Sequence, residues 1–478
     1  MIPSIGQGPV HLLGIGGTAM ASLAGLLKEK GIEVTGSDQN VYPPMSDLLE
    51  KLKVETRTPY RAENVPREAK LVVVGNALSR GNAELEAVLR SGVPYTSMAE
   101  VLKEVFLRDR LPIVIAGTHG KTTTCLLMAW LLTSAGRQPG FLVGGIPRAT
   151  GLSFRVGEGE AFVVEGDEYD TAYFDKGPKF MHYLPRVAVL GNVEFDHADI
   201  YRDVTDVEHA FRLFVNLVPQ NGLLVVGNES ERAASIAETA PCPVTSFAVS
   251  GNADWTAEVR SSDKDGSRFL VRHKGSKALD VRGPFWGAAA LRNVLATIAV
   301  ADYLDLSADE IQTALSSFEG VKRRFEIVGE ERGVTVVDDF AHHPTAVRET
   351  LSGARLRFAD RKLWAIFEPR SFTTRSNVFQ AELADALGLA DAVIVSEVFR
   401  SARLPKEQEL SEEQLIADLR AGGADAHFET GADPIVGHLI RECAEGDVII
   451  VMSNGNFGGL PEKLLRALSG EEGATVQF

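Results

Sequence analysis

The chain has 478 residues, 45% of them hydrophobic and 24% charged, which is the composition of an ordinary globular protein. A single hydrophobic core does not grow to this length, so we expect about three domains. The formal net charge of −16 argues against broad binding to nucleic acids or anionic membranes, because both need an extended basic surface.

The N-terminal part of the chain alternates short apolar runs with a helical pattern. Runs at 10–13, 32–35 and 71–74 predict strands, and residues 19–30 have the periodicity of a helix. This βαβ order predicts a parallel sheet. We therefore expect a Rossmann-like N-terminal domain in residues 1–110, ending where a charged stretch precedes a new apolar run.

A second α/β pattern starts with the apolar run 113–116 and continues through the runs 162–165 and 187–190. Residues 256–281 differ, because they alternate between apolar and polar side chains and are rich in turns, which predicts antiparallel strands. We expect a central domain in residues 111–319, with this antiparallel sheet added to it.

A third pattern occupies the rest of the chain. Apolar runs at 334–337, 363–367, 392–395 and 448–452 predict the strands of another α/β domain. We assign it to residues 320–478 and expect it to be Rossmann-like. The predicted fold class is therefore α/β with three domains.

A phosphate-binding loop is predicted directly after the strand 113–116. Residues 117–124 read Gly-Thr-His-Gly-Lys-Thr-Thr-Thr and lead into an apolar helical stretch. Glycines let the free N–H groups of a helix N-terminus close on phosphate, Lys121 adds a positive charge, and Thr122 offers a hydroxyl to Mg²⁺. Ile115 stands where the full eight-residue motif has its first glycine, and a plain glycine turn is the alternative. The strand before the loop favours a P-loop ATPase domain, with a site formed by Gly117, Thr118, His119, Gly120, Lys121, Thr122 and Thr123.

Carboxylates and a histidine follow the next two predicted strands. The segment 165–170 is rich in carboxylates, and the segment 192–199 places His197 among others. Hard cations such as Mg²⁺ take oxygen ligands, and a histidine among carboxylates can also ligate. A solvated acidic turn and a structural histidine are the alternatives, but the position after the phosphate loop favours a metal site.

A second glycine-rich loop lies near the N-terminus. Gly14, Gly16 and Gly17 follow the first predicted strand and open a helix, and Asp38 lies about twenty residues further on, as in a dinucleotide site. An NAD-dependent oxidoreductase is therefore an alternative function, which an absorbance change of nicotinamide would favour. A simple dehydrogenase, however, has no use for a second nucleotide site.

The segment at 117–124 resembles the Mur ligase family. The resemblance implies an ATP-dependent enzyme that joins a carboxylate to an amine, with Glu165 and His197 as Mg²⁺ ligands beside Thr122. It further implies that the N-terminal glycine loop holds the diphosphate of a UDP-sugar. The residues implied for that site are Gly14, Gly16, Gly17, Thr18, Asp38, Asn76 and Arg80.

Two segments depart from the patterns of some family members. The adenine-contacting segment of the family reads Gly-x-His-Asn-x-x-Asn, and residues 287–293 keep only Asn293 of its three polar positions. Ala289 and Ala290 stand at the other two, which removes two hydrogen-bonding groups from the adenine site that the resemblance implies. Some relatives carry a carbamylated lysine on the helix after the histidine segment, but residues 203–218 contain no lysine and none is expected.

Two segments of the third domain, 320–326 and 338–344, resemble the hinge and the C-terminal nucleotide contacts of the family. The resemblance implies that Arg324 reaches the γ-phosphate of ATP and that Asp339 contacts its ribose. The alternative is a helix start with a charged face, in which the arginines of the first segment are solvated.

Further segments indicate a branch of the family. They resemble the branch that adds the murein tripeptide L-alanyl-γ-D-glutamyl-meso-diaminopimelate to UDP-N-acetylmuramate, and they lie at 36–46, 74–82, 166–175, 367–371 and 453–459. The branch that adds L-alanine is the alternative. Arg370 is expected to clamp a peptide carboxylate, although a surface salt bridge would also explain it, and His342 and His343 are implied to lie near the incoming amine.

The expected reaction begins with attack of the sugar's carboxylate on the γ-phosphate of ATP. The peptide amine then displaces phosphate from the resulting acyl phosphate. Lys121, His197 and Arg324 are the predicted catalytic residues, because charge on the transferred phosphoryl group must be offset. ATP and Mg²⁺ are the predicted cofactors, and UDP-N-acetylmuramate and a murein peptide are the predicted substrates, without nucleic acid.

Cysteine usage and hydropathy complete the prediction. Cys125, Cys242 and Cys443 lack the spacing of a zinc site or a disulfide framework, so free thiols are expected. No apolar run approaches the roughly 18 residues of a membrane span. We expect a cytoplasmic enzyme without membrane insertion, as a monomer or weak homodimer.

Overall fold

The computed structural model describes residue 5, residues 8–399 and residues 406–470. Within them, three large β-sheets follow one another along the chain, each covered by helices. The predicted class, α/β with three domains, is confirmed. We keep 1–110, 111–319 and 320–478 as proposed domain limits, and their residues 1–4, 6–7, 400–405 and 471–478 lie outside the described part. No helix in that part is long and apolar enough to cross a bilayer.

The first domain is a five-stranded parallel sheet with the order β3-β2-β1-β4-β5, which is a Rossmann-like arrangement. Its elements are β1 (Val10–Leu13), α1 (Thr18–Glu29), β2 (Val34–Ser37), α2 (Met45–Lys51), β3 (Glu55–Arg57), β4 (Leu71–Val74), α3 (Ala83–Ser91), β5 (Tyr95–Ser97) and α4 (Met98–Leu102). The second strand begins later than predicted, because Gly31, with a φ of 78°, still belongs to the turn after α1.

The central domain contains a ten-stranded sheet with the order β17-β16-β15-β14-β13-β12-β6-β9-β7-β8. Its elements, with the separate hairpin β10–β11, are β6 (Leu111–Ala116), α5 (Lys121–Ser134), β7 (Gly140–Leu142), β8 (Phe154–Arg155), β9 (Ala161–Gly166), β10 (Asp170–Ala172), β11 (Asp175–Pro178), β12 (Val187–Leu190), α6 (Val204–Val215), β13 (Leu223–Gly227), α7 (Glu231–Ala237), β14 (Val244–Ala248), β15 (Trp255–Asp263), β16 (Gly266–His273), β17 (Ser276–Gly283), α8 (Gly287–Tyr303) and α9 (Ala308–Ser316). The antiparallel strands predicted at 256–281 are β15 to β17, and they extend the central sheet through the parallel pair β14–β15.

The third domain is a six-stranded sheet with the order β18-β19-β23-β20-β21-β22, in which only β18 is antiparallel among the described strands. Its elements are β18 (Glu326–Glu331), β19 (Val334–Asp339), α10 (Pro344–Arg357), β20 (Leu363–Phe367), α11 (Phe372–Arg375), α12 (Gln380–Leu387), β21 (Ala392–Ser396), α13 (Glu412–Ala421), β22 (Asp425–Glu429), α14 (Ala432–Glu442), β23 (Val448–Met452) and α15 (Leu460–Ser469). The inner strands are fully buried, as expected for a parallel sheet covered on both faces.

The first domain packs on the central domain through helix α1. Gly25 of this helix faces the ring of Phe154, and a Cβ atom at this position would overlap that ring. One turn earlier, the hydroxyl of Ser22 lies 2.7 Å from that of Ser153. The glycine therefore permits a close approach of helix and strand β8, which joins the two hydrophobic cores.

Three central strands end at the same edge of the sheet. Ala116 at the end of β6 is in register with Gly166 of β9 and with Leu190 of β12. Because the strands are parallel, the segments that follow them emerge side by side. The phosphate loop, the carboxylate-rich segment and the histidine segment are thus brought together by the sheet.

Candidate active site

The phosphate loop contains two glycines in the left-handed region of backbone conformation. Gly117 has a φ of 127°, and Gly120, which precedes helix α5, has a φ of 84°. A Cβ atom at Gly117 would lie 3.0 Å from the backbone of Asn192, and one at Gly120 would lie 2.6 Å from Oδ1 of Asn293. Both positions therefore need glycine, for conformation and for space.

The segment after β12 holds the phosphate loop in place. Thr118 donates its N–H to the carbonyl of Asn192 at 3.0 Å, and His119 donates its own to Oδ1 of the same asparagine at 2.8 Å. In return, the N–H of Glu194 donates to the hydroxyl of Thr118 at 2.9 Å. These bonds join two loops that lie far apart in sequence.

The ammonium group of Lys121 lies against its own loop and a carboxylate. Its Nζ donates to the carbonyl of Gly117 at 2.7 Å, to that of Thr118 at 3.3 Å, and to Oε1 of Glu168 at 2.9 Å. Burial is the largest single influence and would lower the pKa of the lysine, but the charge of Glu168, the hydrogen bond to it and the charges of Asp167 and Glu165 together raise the pKa. The lysine is therefore a cation at neutral pH.

Glu168 lies between two basic groups. Its side chain is 3% exposed, and its Oε1 lies 3.4 Å from Nε2 of His197 as well as close to Lys121. Burial opposes ionisation, but the charge of Lys121 and a hydrogen bond with His197 hold the pKa of the carboxyl below its usual range. Within the described residues its Oε2 has no hydrogen-bond partner.

The predicted metal ligand Glu165 lies on the other side of the loop. Its Oε1 accepts a hydrogen bond from the N–H of Gly144 at 3.1 Å. Burial raises the pKa of this carboxyl, although a hydrogen bond with Thr122 and the charge of Lys121 oppose the shift. The structure therefore brings together the predicted ligands Thr122 and Glu165.

His197 has an unusual backbone conformation for a residue with a side chain. Its φ is 55°, in the left-handed region, which is a strained conformation often found at functional sites. Burial would lower the pKa of its ring, but hydrogen bonding to Glu168 and the charge of Asp196 raise it. Nε2 of the ring lies 3.4 Å from Oε1 of Glu168, a carboxylate that the sequence did not single out.

Arg324 of the third domain reaches the phosphate loop. Its Nη2 donates to the hydroxyl of Thr122 at 3.3 Å, and its guanidinium stacks on the ring of Phe340 at 4.6 Å. Arg323 is also engaged, donating to Asp338 at 3.1 Å and to the carbonyl of Ser453 at 2.7 Å. The alternative prediction, a solvated charged face, is therefore wrong for both arginines.

Asp339 ends strand β19 beside this arginine. It accepts hydrogen bonds from the N–H of Phe325 at 2.6 Å, from the N–H of Ala341 at 2.7 Å and from the hydroxyl of Thr350 at 3.1 Å. Burial raises the pKa of its carboxyl. The side chain thus organises the start of the third domain and also lines the cavity described below.

A polar cluster joins the phosphate loop to the third domain. Oε2 of Glu194 lies 3.3 Å from Nε2 of His119 and 3.7 Å from Nδ1 of His343, and it accepts a hydrogen bond from the hydroxyl of Thr345 at 2.6 Å. The donor atoms of His119, Glu194 and His343 lie within 4.8 Å of one another, so this trio could hold a metal ion. Glu165 and His197 belong to no such group among the described residues.

The two adjacent histidines of the third domain are held as neutral rings. Burial lowers the pKa of His342, whose Nδ1 lies 3.0 Å from the carbonyl of Phe340. Burial, together with the charge of His119, lowers the pKa of His343 to about 4. Buried Asp196 accepts a hydrogen bond from the hydroxyl of Thr373 at 2.9 Å, which gives the histidine segment a second contact with the third domain.

A cavity of about 740 Å³ lies between the central and third domains. The predicted ATP-binding residues that line it are His119, Gly120, Lys121, Thr123, Asn293, Arg324 and Asp339. Gly117 and Thr118 belong to the same loop and Thr122 to the first turn of α5. Residues from two domains that were predicted separately therefore share one cavity.

One wall of the cavity is an ion-pair network across the two domains. Arg292 of α8 pairs with Glu229 at 3.1 Å and with Glu349 of α10. The second oxygen of Glu349 accepts the N–H of Ala289 at 3.1 Å. Ala289 and Ala290 thus lack polar side chains at this wall, and the backbone of Ala289 contacts the third domain.

The N-terminal glycine loop begins with a glycine in the left-handed region of backbone conformation. Gly14 has a φ of 83°, and the N–H of Gly16 donates to Oδ2 of Asp38 at 2.8 Å. Gly17 and Thr18 form the start of α1, whose first N–H groups have no intrahelical partner. Asp38 therefore shapes the loop itself, a role that differs from a direct ligand contact.

Two other predicted sugar-site residues lie on the surface beside this loop. Asn76 follows β4, which ends level with β1, and both Asn76 and Arg80 are exposed. The guanidinium of Arg80 pairs with Glu86 at 2.8 Å. The structure thus places Asn76 at the sheet edge and turns Arg80 towards helix α3.

Arg370 is fixed in position by its surroundings. Its guanidinium lies 3.7 Å from the ring centroid of Phe399 and 3.4 Å from Oε1 of Glu368, and its stem packs on Gly455 so closely that a Cβ there would overlap it. The side chain is 31% exposed. It is therefore a rigid guanidinium with an open face.

The comparisons with known proteins match all three domains. Family models match at residues 9–110 (Mur ligase family, catalytic domain), 115–301 (Mur ligase middle domain) and 323–455 (Mur ligase, glutamate ligase domain).

The chain is 39% identical over 461 residues to the UDP-N-acetylmuramate–L-alanyl-gamma-D-glutamyl-meso-2,6-diaminoheptandioate ligase of Escherichia coli, covering 96% of this chain and 98% of the relative. It is 32% identical over 461 residues to a UDP-N-acetylmuramate–L-alanine ligase of Agathobacter rectalis, covering 96% of this chain and 97% of the relative. The crystal structure of a murein peptide ligase from Psychrobacter arcticus superimposes with a TM-score of 0.73 at 36% identity, covering 98% of this chain and all of that one. On these matches, in every domain and over nearly the whole length, the chain belongs to the Mur ligase family.

Proposed function

We propose that this enzyme joins the murein tripeptide L-alanyl-γ-D-glutamyl-meso-diaminopimelate to UDP-N-acetylmuramate, with conversion of ATP to ADP and phosphate. Members of the Mur ligase family are ATP-dependent ligases, which decides against the NAD-dependent oxidoreductase. The choice of peptide is supported by the greater identity, 39% against 32%, to the relative named for the tripeptide. The observation that carries the ligase chemistry is the meeting of Arg324 with Thr122 of the phosphate loop across a domain boundary.

The first step is transfer of the γ-phosphoryl group to the lactyl carboxylate of the sugar. A carboxylate is a poor electrophile, and the acyl phosphate that forms is a good one. Charge spreads over the oxygens of the transferred group, and Lys121 and Arg324 offset it from two sides. Contacts of Glu194 with Thr345 and of Arg292 with Glu349 hold the third domain against the central domain beside the cavity, an arrangement that would limit the access of water to the acyl phosphate.

The second step is attack of the peptide amine on the acyl carbon, with phosphate as the leaving group. The amine must first lose a proton. His342 is suited to accept it, because burial lowers its pKa and its Nδ1 faces a carbonyl, which leaves Nε2 as the acceptor. Arg370 offers a rigid guanidinium for a peptide carboxylate, and His343 supports the contact between the domains.

Magnesium fits the donors around the phosphate loop. The hydroxyl of Thr122 and the carboxylate of Glu165 are adjacent and would supply the oxygen ligands that hard cations prefer, and His197 lies 3.4 Å from Glu168. When bound, the ion supplies positive charge that lowers the repulsion between the phosphate oxygens and the incoming carboxylate. Gly14, Gly16, Gly17, Thr18, Asp38, Asn76 and Arg80 form the proposed UDP-sugar site.

The partners of the enzyme are therefore small molecules. ATP and nucleotide sugars are cytoplasmic compounds, which supports a cytoplasmic enzyme without nucleic-acid or membrane partners. We propose a monomer or weak homodimer, to be measured by sedimentation over a range of concentrations.

An ADP-release assay with UDP-N-acetylmuramate tests the proposal. The tripeptide should support turnover with kcat/KM at least about tenfold above that for L-alanine, because the additional carboxylates of the tripeptide give Arg370 a partner. A preference for L-alanine would assign the enzyme to the other branch. Absence of ADP release with either acceptor would contradict the ligase function.

A further inference from the structure

All hydrogen-bonding capacity of Lys121 is used within the protein. An ammonium has three N–H donors, and here they go to the carbonyls of Gly117 and Thr118 and to Oε1 of Glu168. A phosphate oxygen can take one of these donors only if an acceptor withdraws. The two carbonyls belong to the phosphate loop, so Glu168 is the acceptor whose withdrawal leaves that loop unchanged.

Glu168 is itself incompletely satisfied. One oxygen serves both Lys121, at 2.9 Å, and His197, at 3.4 Å. The other oxygen is buried and has no hydrogen-bond partner in the described part of the chain. A buried carboxylate oxygen without a partner is costly, and its presence at a functional site indicates a partner that arrives later.

Binding of a triphosphate would leave Glu168 in an unfavourable environment. If Lys121 turns to the phosphates, the buried carboxylate loses its closest cation while several negative oxygens approach it. Truncating one partner of a buried ion pair is strongly destabilising for the same reason. A divalent cation that prefers carboxylate oxygens, placed beside His197, would compensate the negative charge of Glu168 and could be ligated by its unpartnered Oε2.

We propose that Glu168 is an exchangeable counter-ion: it holds Lys121 while the phosphate loop is empty, and it becomes a ligand of the divalent cation beside His197 when the nucleotide takes Lys121. The inference rests on the proposed function, because it requires a nucleotide and a cation at this loop. Cation and nucleotide therefore bind cooperatively. The cation compensates the charge of Glu168 and so frees Lys121 for the nucleotide, and the nucleotide draws Lys121 away and so frees Glu168 for the cation.

The first test compares Glu168→Gln with the wild type by calorimetry, using the non-hydrolysable analogue AMP-PNP in EDTA and in Mg²⁺. Without metal, the variant should bind the analogue more tightly, by about tenfold, because Lys121 is no longer held and a repelling charge is gone. The factor by which Mg²⁺ raises the affinity for AMP-PNP should be smaller in the variant than in the wild type by about tenfold or more. Asp175→Asn is the control, because Asp175 begins strand β11, outside the carboxylate-rich segment 165–170, and pairs with His182 at 2.8 Å, and both affinities should stay at the wild-type values.

The second test needs no nucleotide. In Lys121→Met, Glu168 loses its closest cation while its Oε2 remains without a partner, so Mn²⁺ measured by electron paramagnetic resonance should bind about tenfold more tightly than in the wild type. Adding Glu168→Gln to this variant should abolish the gain. Mn²⁺ binding to Lys121→Met also tests the proposal if variants with Glu168→Gln do not fold.

The outcomes separate the inference from the proposed function. Wild-type protein that binds no AMP-PNP with Mg²⁺ would overturn the proposed function. If Mg²⁺ raises the affinity of the wild type for AMP-PNP, and raises that of Glu168→Gln by the same factor, only the role of Glu168 would be overturned. Mn²⁺ affinity that does not rise in Lys121→Met would overturn it as well.

Discussion

His343 should make the contact between the central and third domains sensitive to acid. Burial, and then the charge of His119, lowers its pKa from the ordinary 6.5 to about 4. Below pH 6.5 the unfolded chain therefore takes up a proton that the folded chain does not. Because the unfolded state binds more protons, stability is lost as the pH falls from 6.5 towards 4.

The size of this effect follows from the shift. One pKa unit corresponds to about 1.4 kcal/mol, so the whole shift is worth about 3 kcal/mol once the pH is below both values. Between pH 7 and pH 4.5 about 2 kcal/mol of it should be lost, because the lower end of the window is not quite reached. This is a large fraction of the stability of a typical domain.

The variant His343→Asn removes the ring but keeps an acceptor for the N–H of Thr345, which His343 caps at 3.3 Å. In urea unfolding at pH 7 and pH 4.5, the wild type should lose about 2 kcal/mol more than this variant. An equal loss in both proteins would refute the reasoning.

Glu194→Gln tests the pH dependence of stability below pH 4.5. Burial opposes the shift, but hydrogen bonding with His119 lowers the pKa of Glu194 from 4.5 to about 2. The folded-state pKa is depressed, so this contribution is present above pH 4.5 and is lost as the pH falls towards 2. Between pH 7 and pH 4.5, Glu194→Gln should therefore lose as much stability as the wild type. Below pH 4.5, its free energy of unfolding should change less with pH than that of the wild type.

Three substitutions test the remaining roles. Arg324→Met should lower kcat by about 100- to 1000-fold in the ADP-release assay, because a charge on the transferred phosphoryl group is left unbalanced, and a change only in KM would contradict this role. Gly120→Ala should weaken AMP-PNP binding by about tenfold or more in calorimetry, because its Cβ would meet Asn293 and the left-handed conformation costs about 1–2 kcal/mol; wild-type affinity would show that the loop adapts. Arg370→Ala should raise KM for the tripeptide by about tenfold or more and leave KM for UDP-N-acetylmuramate unchanged, and an equal rise for both would exclude a peptide clamp.

Local patterns in the sequence were enough to predict the three-domain α/β fold. Strand, glycine loop and helix are adjacent in sequence at both glycine-rich loops, and their spacing reflects backbone geometry that short segments carry by themselves. The antiparallel strands at 256–281 and their addition to the central domain were predicted in the same way, but their continuity with its parallel strands through one specific strand pair was not. That continuity depends on the pairing of β14 with β15, which no local pattern encodes.

The residues of the candidate site were predicted less completely. The segment 165–170 was recognised as rich in carboxylates, but no pattern distinguished Glu168, which pairs with Lys121, from its neighbours. Glu194 and Thr345 were likewise missed, although they connect the phosphate loop to the third domain. The signal for Glu194 was its position in the histidine segment.

Sequence by itself determined which chemical groups this protein has and in which local structures they lie, because helix caps, glycine turns and apolar periodicity act over a few residues. The tertiary structure alone decided which of those groups meet. Thr122 meets Arg324, and Glu194 meets His343, only because parallel strands end at one edge and the third domain packs against it. Such contacts depend on the packing of whole domains, and charge pairing and burial then set the pKa values that the chemistry requires.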